Sequence, residues 1–284
     1  MGKEDVYMSD MLLITSKQNP KIKGVCALAE KRDREAARLF RFDGVKLLIE
    51  AIEKGVEIDS VYIRESSFVR IRERLGERFS LINGDRIILV GDSVFEKMSL
   101  EKAPEGVITV AKHIDKIRKI TKIENVELPK AQECVFLAES LQDPGNLGTL
   151  IRSAAALGID RVVVSADSAD VYNPKTIRAA MGGLFYISVD RVEQDVFSEY
   201  IGALQAAGRR VFAAALDDKA ETLDKLALQA GDCFVIGNEG HGLTSETIDA
   251  CDGSVIIPMR DEVESLNAAA AAVILMWEMK KALG

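Results

Sequence analysis

The 284-residue chain reads as an α/β protein built from two modules. Three observations predict this. From Cys134 onward, short apolar runs alternate with helical stretches, the pattern of a mostly parallel sheet covered on both faces. The first half mixes strands and helices on a smaller scale. Between the halves, Lys112 to Gln132 is charged, contains Pro129 and has no clean period, so it reads as a linker. The length suits two cores better than one.

Taken in order, Lys17 to Arg41 is helical in character, with Asn19-Pro20 as its entry. After Phe40-Arg-Phe-Asp-Gly44, Leu47, Leu48, Ala51 and Ile52 recur at helical spacing, and Gly55 stops that helix. Asp59–Arg64, Asp85–Val90 and Gly106–Ala111 read as strands, with a short helix at Ser93–Met98. In the second half the predicted strands are Cys134–Glu139, Arg161–Ala166, Tyr186–Val189, Arg210–Leu216, Cys233–Gly237 and Ser254–Ile257. Helices fall at Leu147–Leu157, Pro174–Met181, Val196–Ala207, Ser245–Ala250 and Leu266–Ala282.

Composition narrows the function classes. The chain is 48% hydrophobic and 29% charged, which supplies ample buried core. Met11–Ile14, the longest uncharged apolar stretch near the start, is far too short for a signal-peptide core or a membrane span. Nothing marks the chain for export, so the expected location is the cytoplasm. The four cysteines are scattered without a Cys-x-x-Cys pair and read as reduced thiols. With only His113 and His241 beside them, no metal-ligand cluster is expected. The net charge of −8 argues at first against a nucleic-acid partner. The charge is uneven, however: residues 1–125 hold 24 Lys+Arg against 21 Asp+Glu, and the rest 13 against 24. Residues 11–41 are the most basic part, with eight Lys or Arg against Glu30, Asp33 and Glu35. Local basic surface, not total charge, governs affinity for phosphate.

Three segments place polar or glycine residues just beyond apolar runs, where open parallel sheets build their sites. The first is Asn146-Leu-Gly-Thr-Leu-Ile-Arg152. By itself Asn146 reads as a helix N-cap. Arg152 is the only charged residue between Asp143 and Asp160, on a helix expected to be well buried, where a guanidinium needs a partner or a job. The second is Gly237-Asn-Glu-Gly-His-Gly-Leu243, whose glycines let backbone approach a ligand closely. Its spacing is not the dinucleotide fingerprint. Glu239 is either a solvated loop acid or a site carboxylate, and His241 reads as a filler. In the third, Ile257-Pro-Met-Arg-Asp-Glu-Val-Glu-Ser-Leu-Asn267, the proline ends a strand and Ser265 reads as the N-cap of an Ala-rich helix.

In this order and spacing the three segments resemble the SpoU (TrmH-like) class of SPOUT RNA methyltransferases. Asn173–Gly182, Ile14–Pro20, Phe40–Gly44 and Gly106–Val110 resemble further parts of that class, so the likeness covers nearly the whole chain. It implies a C-terminal α/β-knot domain, with a deep trefoil knot in a mostly parallel sheet. Ahead of it comes a smaller α/β RNA-binding domain similar to certain ribosomal proteins. The implied boundaries are 1–120 for substrate binding, 121–131 for the linker and 132–284 for catalysis. The implied activity is transfer of a methyl group from S-adenosylmethionine to a ribose 2′-hydroxyl of RNA. Ribosomal RNA is the first expected partner and transfer RNA the second; a non-catalytic, ribosome-associated RNA binder is the alternative.

The resemblance also implies a homodimer through the C-terminal domain, with no membrane partner. By motif position, cofactor contacts carry over to Gly237, Ile257, Leu266 and Leu216. Asn146, Arg152, Glu239, Ser265 and Asn267 match the active-site positions, Arg152 as a base or as a holder of the target phosphate. Three positions depart from the class: Asp261 stands where glycine is usual, Ala268-Ala269 replaces a common Val-Ser, and Asp43 replaces a frequent glutamate.

Overall fold

A computed structural model describes residues 11–124, 126–217, 220–260 and 265–282; Asp261 lies outside them. The chain forms two compact units. One runs through Ile114 and also takes Tyr172–Arg178; the other holds Asp115–Val171 and the chain from Ala179 on.

In the first unit the stretch expected as one helix, Lys17 to Arg41, is two helices and a strand. These are α1 (Pro20–Ala27), α2 (Lys31–Ala37) and β2 (Leu39–Asp43), following the short strand β1 (Leu12–Ile14). Arg38, in the left-handed region at φ 55, ends α2 and turns the chain into β2. The basic surface expected of residues 11–41 also shrinks, because two of its eight Lys or Arg serve the fold instead. Arg34 is buried and donates to the carbonyls of Leu28 and Ala29 at 2.8 and 2.6 Å. Arg41 is buried on β2 and donates to Met98 O at 2.7 Å and Asp43 Oδ1 at 3.0 Å. Their guanidiniums satisfy backbone acceptors that would otherwise be left bare, so the basic surface of 11–41 is smaller than the count suggests. Lys17, Lys21, Lys23, Lys31, Arg32 and Arg38 stay exposed.

The remaining elements are α3 (Val45–Glu53), β3 (Ile58–Arg64), α4 (Phe68–Leu75), β4 (Ile87–Val90), α5 (Asp92–Met98) and β5 (Val107–Lys112). The sheet order is β1-β4-β3-β5-β2, parallel across β1, β4 and β3 and antiparallel at β5 and β2. Tyr172 belongs to this unit: it stacks on His113 at 4.2 Å and meets Phe40 at 4.8 Å.

In the second unit, part of the stretch read as linker is a strand, β6 (Ile117–Ile120). It pairs with β9 (Ser188–Val192) and is fixed by charge: Arg118 donates to buried Asp190 at 2.8 Å, and Arg161 and Tyr200 converge on the same carboxylate. The other strands are β7 (Val135–Ala138), β8 (Arg161–Ser165), β10 (Val211–Ala214), β11 (Glu221–Thr222), β12 (Cys233–Ile236) and β13 (Gly253–Ile256). Their order is β11-β13-β10-β12-β7-β8-β9-β6, and every pairing is parallel.

The central strands β7, β8, β10 and β12 are covered on both faces, which is why they read as apolar runs. Leu137, Val163, Ala213 and Val235 pack with Tyr200, Ile201 and Leu204 of α8 (Phe197–Ala206). The alternate residues turn to the opposite face. There α6 (Pro144–Leu157) packs on β8, and α10 (Ala268–Ala282) packs on β12 and on α6. Helix α9 (Ser245–Ala250) completes this unit, while most of α7 (Pro174–Ala180) falls in the stretch that belongs to the first. All four cysteines are free, with Cys134 and Cys233 buried. Among the described residues no helix is long and apolar enough to cross a membrane.

Helix α3 begins at Gly44, whose φ of 107 offers no side chain for capping, and Glu105 supplies the missing acceptor to Val45 N at 2.8 Å. That bond, ahead of the nearby Arg74, holds the Glu105 carboxyl below its usual value near 4.5. A depressed carboxyl contributes stability that is present above the unfolded value and lost as pH falls through the folded one. Glu105→Gln should therefore lower first-unit stability near neutral pH by less than about 1 kcal/mol, because the group is partly solvated. The difference should shrink as pH falls below the unfolded value and vanish once pH is below the folded one, in denaturant unfolding monitored across pH.

Candidate active site

Parallel pairing brings the carboxyl ends of β7, β10, β12 and β13 to one edge of the second sheet. There the segments after β10, β12 and β13 enclose a cavity of about 440 Å³. Leu216, Gly237, Ile257 and Leu266 all line it, as do Glu239 and Ser265. The walls are mostly apolar side chains and backbone, with a few polar groups at the rim, and the size suits a nucleoside-sized ligand.

Gly237 shows why this turn is glycine-rich. A Cβ built there would collide with the backbone of Gly242 and Leu243, because Asn238 and Gly242 exchange backbone hydrogen bonds at 3.0 and 2.9 Å and fold the loop back on itself. Asn238 organises the turn from within. Its Oδ1 accepts from Gly240 N at 2.8 Å and His241 N at 3.3 Å, an Asx turn, while its Nδ2 donates to Ser140 O at 2.9 Å. These are features of a cradle that admits backbone-to-ligand contact, and they fit S-adenosylmethionine. His241 is exposed, with its backbone in the turn.

Beside the cavity three predicted residues meet. Asn146 Nδ2 donates to Glu239 Oε1, and Asn267 Nδ2 donates to Asn146 Oδ1 at 3.1 Å. Two capping assignments change. Asp143, not Asn146, caps α6: Pro144 starts the helix with its fixed φ, and Asp143 Oδ1 accepts from Asn146 N at 2.9 Å. Asn146 is thereby inside the first turn, with its amide free for the site. At the C-terminal helix Asn267, not Ser265, is the cap, accepting from Ala269 N and Ala270 N at 3.0 and 3.2 Å. Ser265 sits on the cavity wall.

Arg152 is not brought into this cluster. It was expected on a buried helix, yet α6 buries Leu147, Gly148, Leu150, Ile151 and Ala154 and leaves Thr149, Arg152 and Ala156 as an exposed stripe. Among the described residues the Arg152 side chain has no hydrogen bond or ion pair. Six residues separate it from Asn146, a rise of about 9 Å and a turn to another face of the helix. The backbone at Arg152 is closely approached: a Cβ on Gly183 would lie 3.0 Å from Arg152 Cα.

The sequence reading missed Glu139, Ser140, Asn238 and Thr244, which hold the loop after β12. Two signals were available. Asn238 stands in a glycine turn, the usual place for an Asx side chain. Glu139 ends an apolar strand, with no Lys or Arg from Cys134 to Ile151 to pair with it.

Comparisons with known proteins bear on family and fold. The pattern of the SpoU rRNA Methylase family matches residues 133–277, more than half of the chain, and that of the MRM3-like substrate binding domain matches 19–109. The chain is 28% identical over 270 residues to the 23S rRNA (guanosine(2553)-2′-O)-methyltransferase RlmP of Bacillus subtilis, spanning 95% of this chain and 100% of that one. It is 28% identical over 258 residues to the 23S rRNA (uridine(2479)-2′-O)-methyltransferase of Streptomyces viridochromogenes, with 88% and 85% covered. The AdoMet-bound rRNA methyltransferase from Sinorhizobium meliloti superposes with a TM-score of 0.81 at 25% identity, over 96% of this chain and 98% of that one. The chain belongs to the SpoU rRNA methylase family of S-adenosylmethionine-dependent RNA methyltransferases.

Proposed function

We propose that the protein methylates a ribose 2′-hydroxyl of ribosomal RNA, with Asn146, Glu239 and Asn267 facing the acceptor nucleotide and Arg152 holding it. The observation that carries this reading is the meeting of the Asn146–Glu239–Asn267 chain with the glycine-walled cavity. Ribosomal RNA is chosen because the Bacillus and Streptomyces relatives are both named for ribose methylation of 23S rRNA. A ribosomal acceptor also sets the expected location, the cytoplasm.

When bound, S-adenosylmethionine supplies an activated methyl group on a sulfonium. Gly237, Ile257, Leu266 and Leu216 would hold it, largely through backbone groups and apolar contact. The ribose hydroxyl is a poor nucleophile whose proton must leave around the transition state, so its placement supplies much of the rate. Glu239 and Asn146 offer an acceptor and an amide to fix that hydroxyl, and Asn267 fixes Asn146. A guanidinium stays protonated in proteins, so Arg152 serves as a fork for the target's phosphate or ribose rather than as the base. Its exposure, and the lack of a side-chain partner among the described residues, leave it available for that. In the first unit, Lys17, Lys21, Lys23, Lys31, Arg32 and Arg38 supply exposed charge for RNA phosphates.

The homodimer is part of the same proposal. Ala270, Ile274 and Trp277 form one exposed stripe on α10, with Trp277 at 53% exposure, and α6 beside it exposes the Thr149–Arg152–Ala156 stripe. An exposed tryptophan and isoleucine at helical spacing suit burial against a second copy. That would bring Arg152 close to the covered surface.

Three outcomes are expected. Labelled methyl transfer to ribosomal RNA should yield an alkali-resistant phosphodiester beside the label, and Arg152→Ala should lower the rate by about 100-fold or more while calorimetry shows unchanged cofactor binding. Wild-type rates in that variant, or label on transfer RNA alone, would overturn the assignment. Gly237→Ala should weaken S-adenosylmethionine binding by roughly 10- to 100-fold, because the new Cβ must push the Gly242 backbone into the cradle; calorimetry on the folded variant reads this. Trp277→Glu should convert a dimer to a monomer in sedimentation velocity, and a monomeric wild-type chain would remove the homodimer.

A further inference from the structure

We infer that Glu139 is a positioning residue that sets the loop after β12 in its cofactor-accepting shape. The role rests on the methyl-transfer reading above. Glu139 directly follows β7 and is 1% exposed. Four donors converge on its carboxylate. Oε1 accepts from Thr247 Oγ1 at 2.7 Å, Thr244 Oγ1 at 2.9 Å and Gln194 Nε2 at 3.1 Å, and Oε2 accepts from Thr244 N at 2.8 Å. No cation is among these partners, so the side chain is a hub for neutral donors rather than half of an ion pair.

The next residue holds the other end of the same loop. Ser140 has φ 54, a conformation that non-glycine residues seldom adopt, and it is secured on three sides. Its N–H donates to Ser165 Oγ at 2.7 Å, its hydroxyl donates to Asp167 Oδ2, and its carbonyl accepts from Asn238 Nδ2 at 2.9 Å. Ser140 thus grips the start of the loop at Asn238, and Glu139 grips its end at Thr244. Gly237 adjoins the first anchor and Glu239 lies between the two. One adjacent pair of residues, not among the residues lining the cavity, fixes both the cradle and the site carboxylate.

Both Glu139 oxygens must accept, which is why a carboxylate is needed. In Glu139→Gln one oxygen becomes an NH₂. Hydroxyls can rotate to accept from it, but the Thr244 N–H cannot, so the amide oxygen must face Thr244 N and the NH₂ must face the two threonines. The shape is kept and the grip on α9 is weakened. Thr247→Val removes one donor at nearly constant volume, and Thr247→Ser restores it.

The test is calorimetry of S-adenosylmethionine with the full-length wild type, Glu139→Gln, Thr247→Val and Thr247→Ser, alongside methyl-transfer kinetics. Glu139→Gln and Thr247→Val should raise the cofactor Kd by roughly tenfold at unchanged stoichiometry, and Thr247→Ser should return the Kd to wild type. A wild-type Kd in both variants would overturn the inference. So would a fall in binding stoichiometry at constant Kd, which is what loss of folded protein alone would give. If the wild type itself binds no S-adenosylmethionine, the methyl-transfer reading fails first, and the inference with it.

Discussion

Parallel pairing throughout the second sheet is the constraint on which the site depends. Because β10 lies between β12 and β13, and β12 between β10 and β7, the segments leaving all four strands emerge at one edge. β7 and β12 are buried along their whole length and β10 along most of its own, so a slip of one residue would carry side chains packed for one face onto the other. The backbone of three loops is thereby held around one cavity, and the residues that close it need only local interactions.

Those local interactions are directional. Asn267 must turn its oxygen toward the N-terminus of α10 to cap it, so its NH₂ faces Asn146. Asn146 must then offer its oxygen to Asn267, which leaves its own NH₂ for Glu239. Helix capping at one element thus orients a site carboxylate 28 residues earlier in the sequence. A side chain that both donates and accepts is required at the middle of this chain, and the asparagine amide does so through two separate atoms.

Charge is used differently in the two units. In the second, Asp190 is fully buried and joins Arg118, Arg161 and Tyr200, tying edge strand β6 to its neighbour β9 and to β8 beyond it. With a carboxylate accepting its hydroxyl proton in a buried setting, the Tyr200 phenol is pushed far above its usual value, burial being the larger cause. In the first unit, Arg34 and Arg41 are committed to backbone carbonyls, and only the remaining basic residues of 11–41 face solvent. A count of charges along the chain could not separate these two uses.

The sequence by itself determined the α/β class, most strands of the second sheet and the glycine-walled turn at 237–243, because hydrophobic period, strand length and glycine placement are local properties. It also marked Asn146, Glu239 and Asn267 as site candidates, since polar residues at strand ends stand out against apolar runs. Only the tertiary structure decided which side chain does what. Asp143 rather than Asn146 caps α6, and Asn267 rather than Ser265 caps α10, because a cap is fixed by where the helix starts to within one residue. Arg152 is exposed because its face of α6 is the one that neither the sheet nor α10 covers. Glu139 stood out in the sequence only as an unpaired acid at a strand end; its role could not be read there, because its partners, Thr244, Thr247 and Gln194, lie 55 to 108 residues away. No local pattern encodes a carboxylate whose meaning comes from donors that the sheet brings to it.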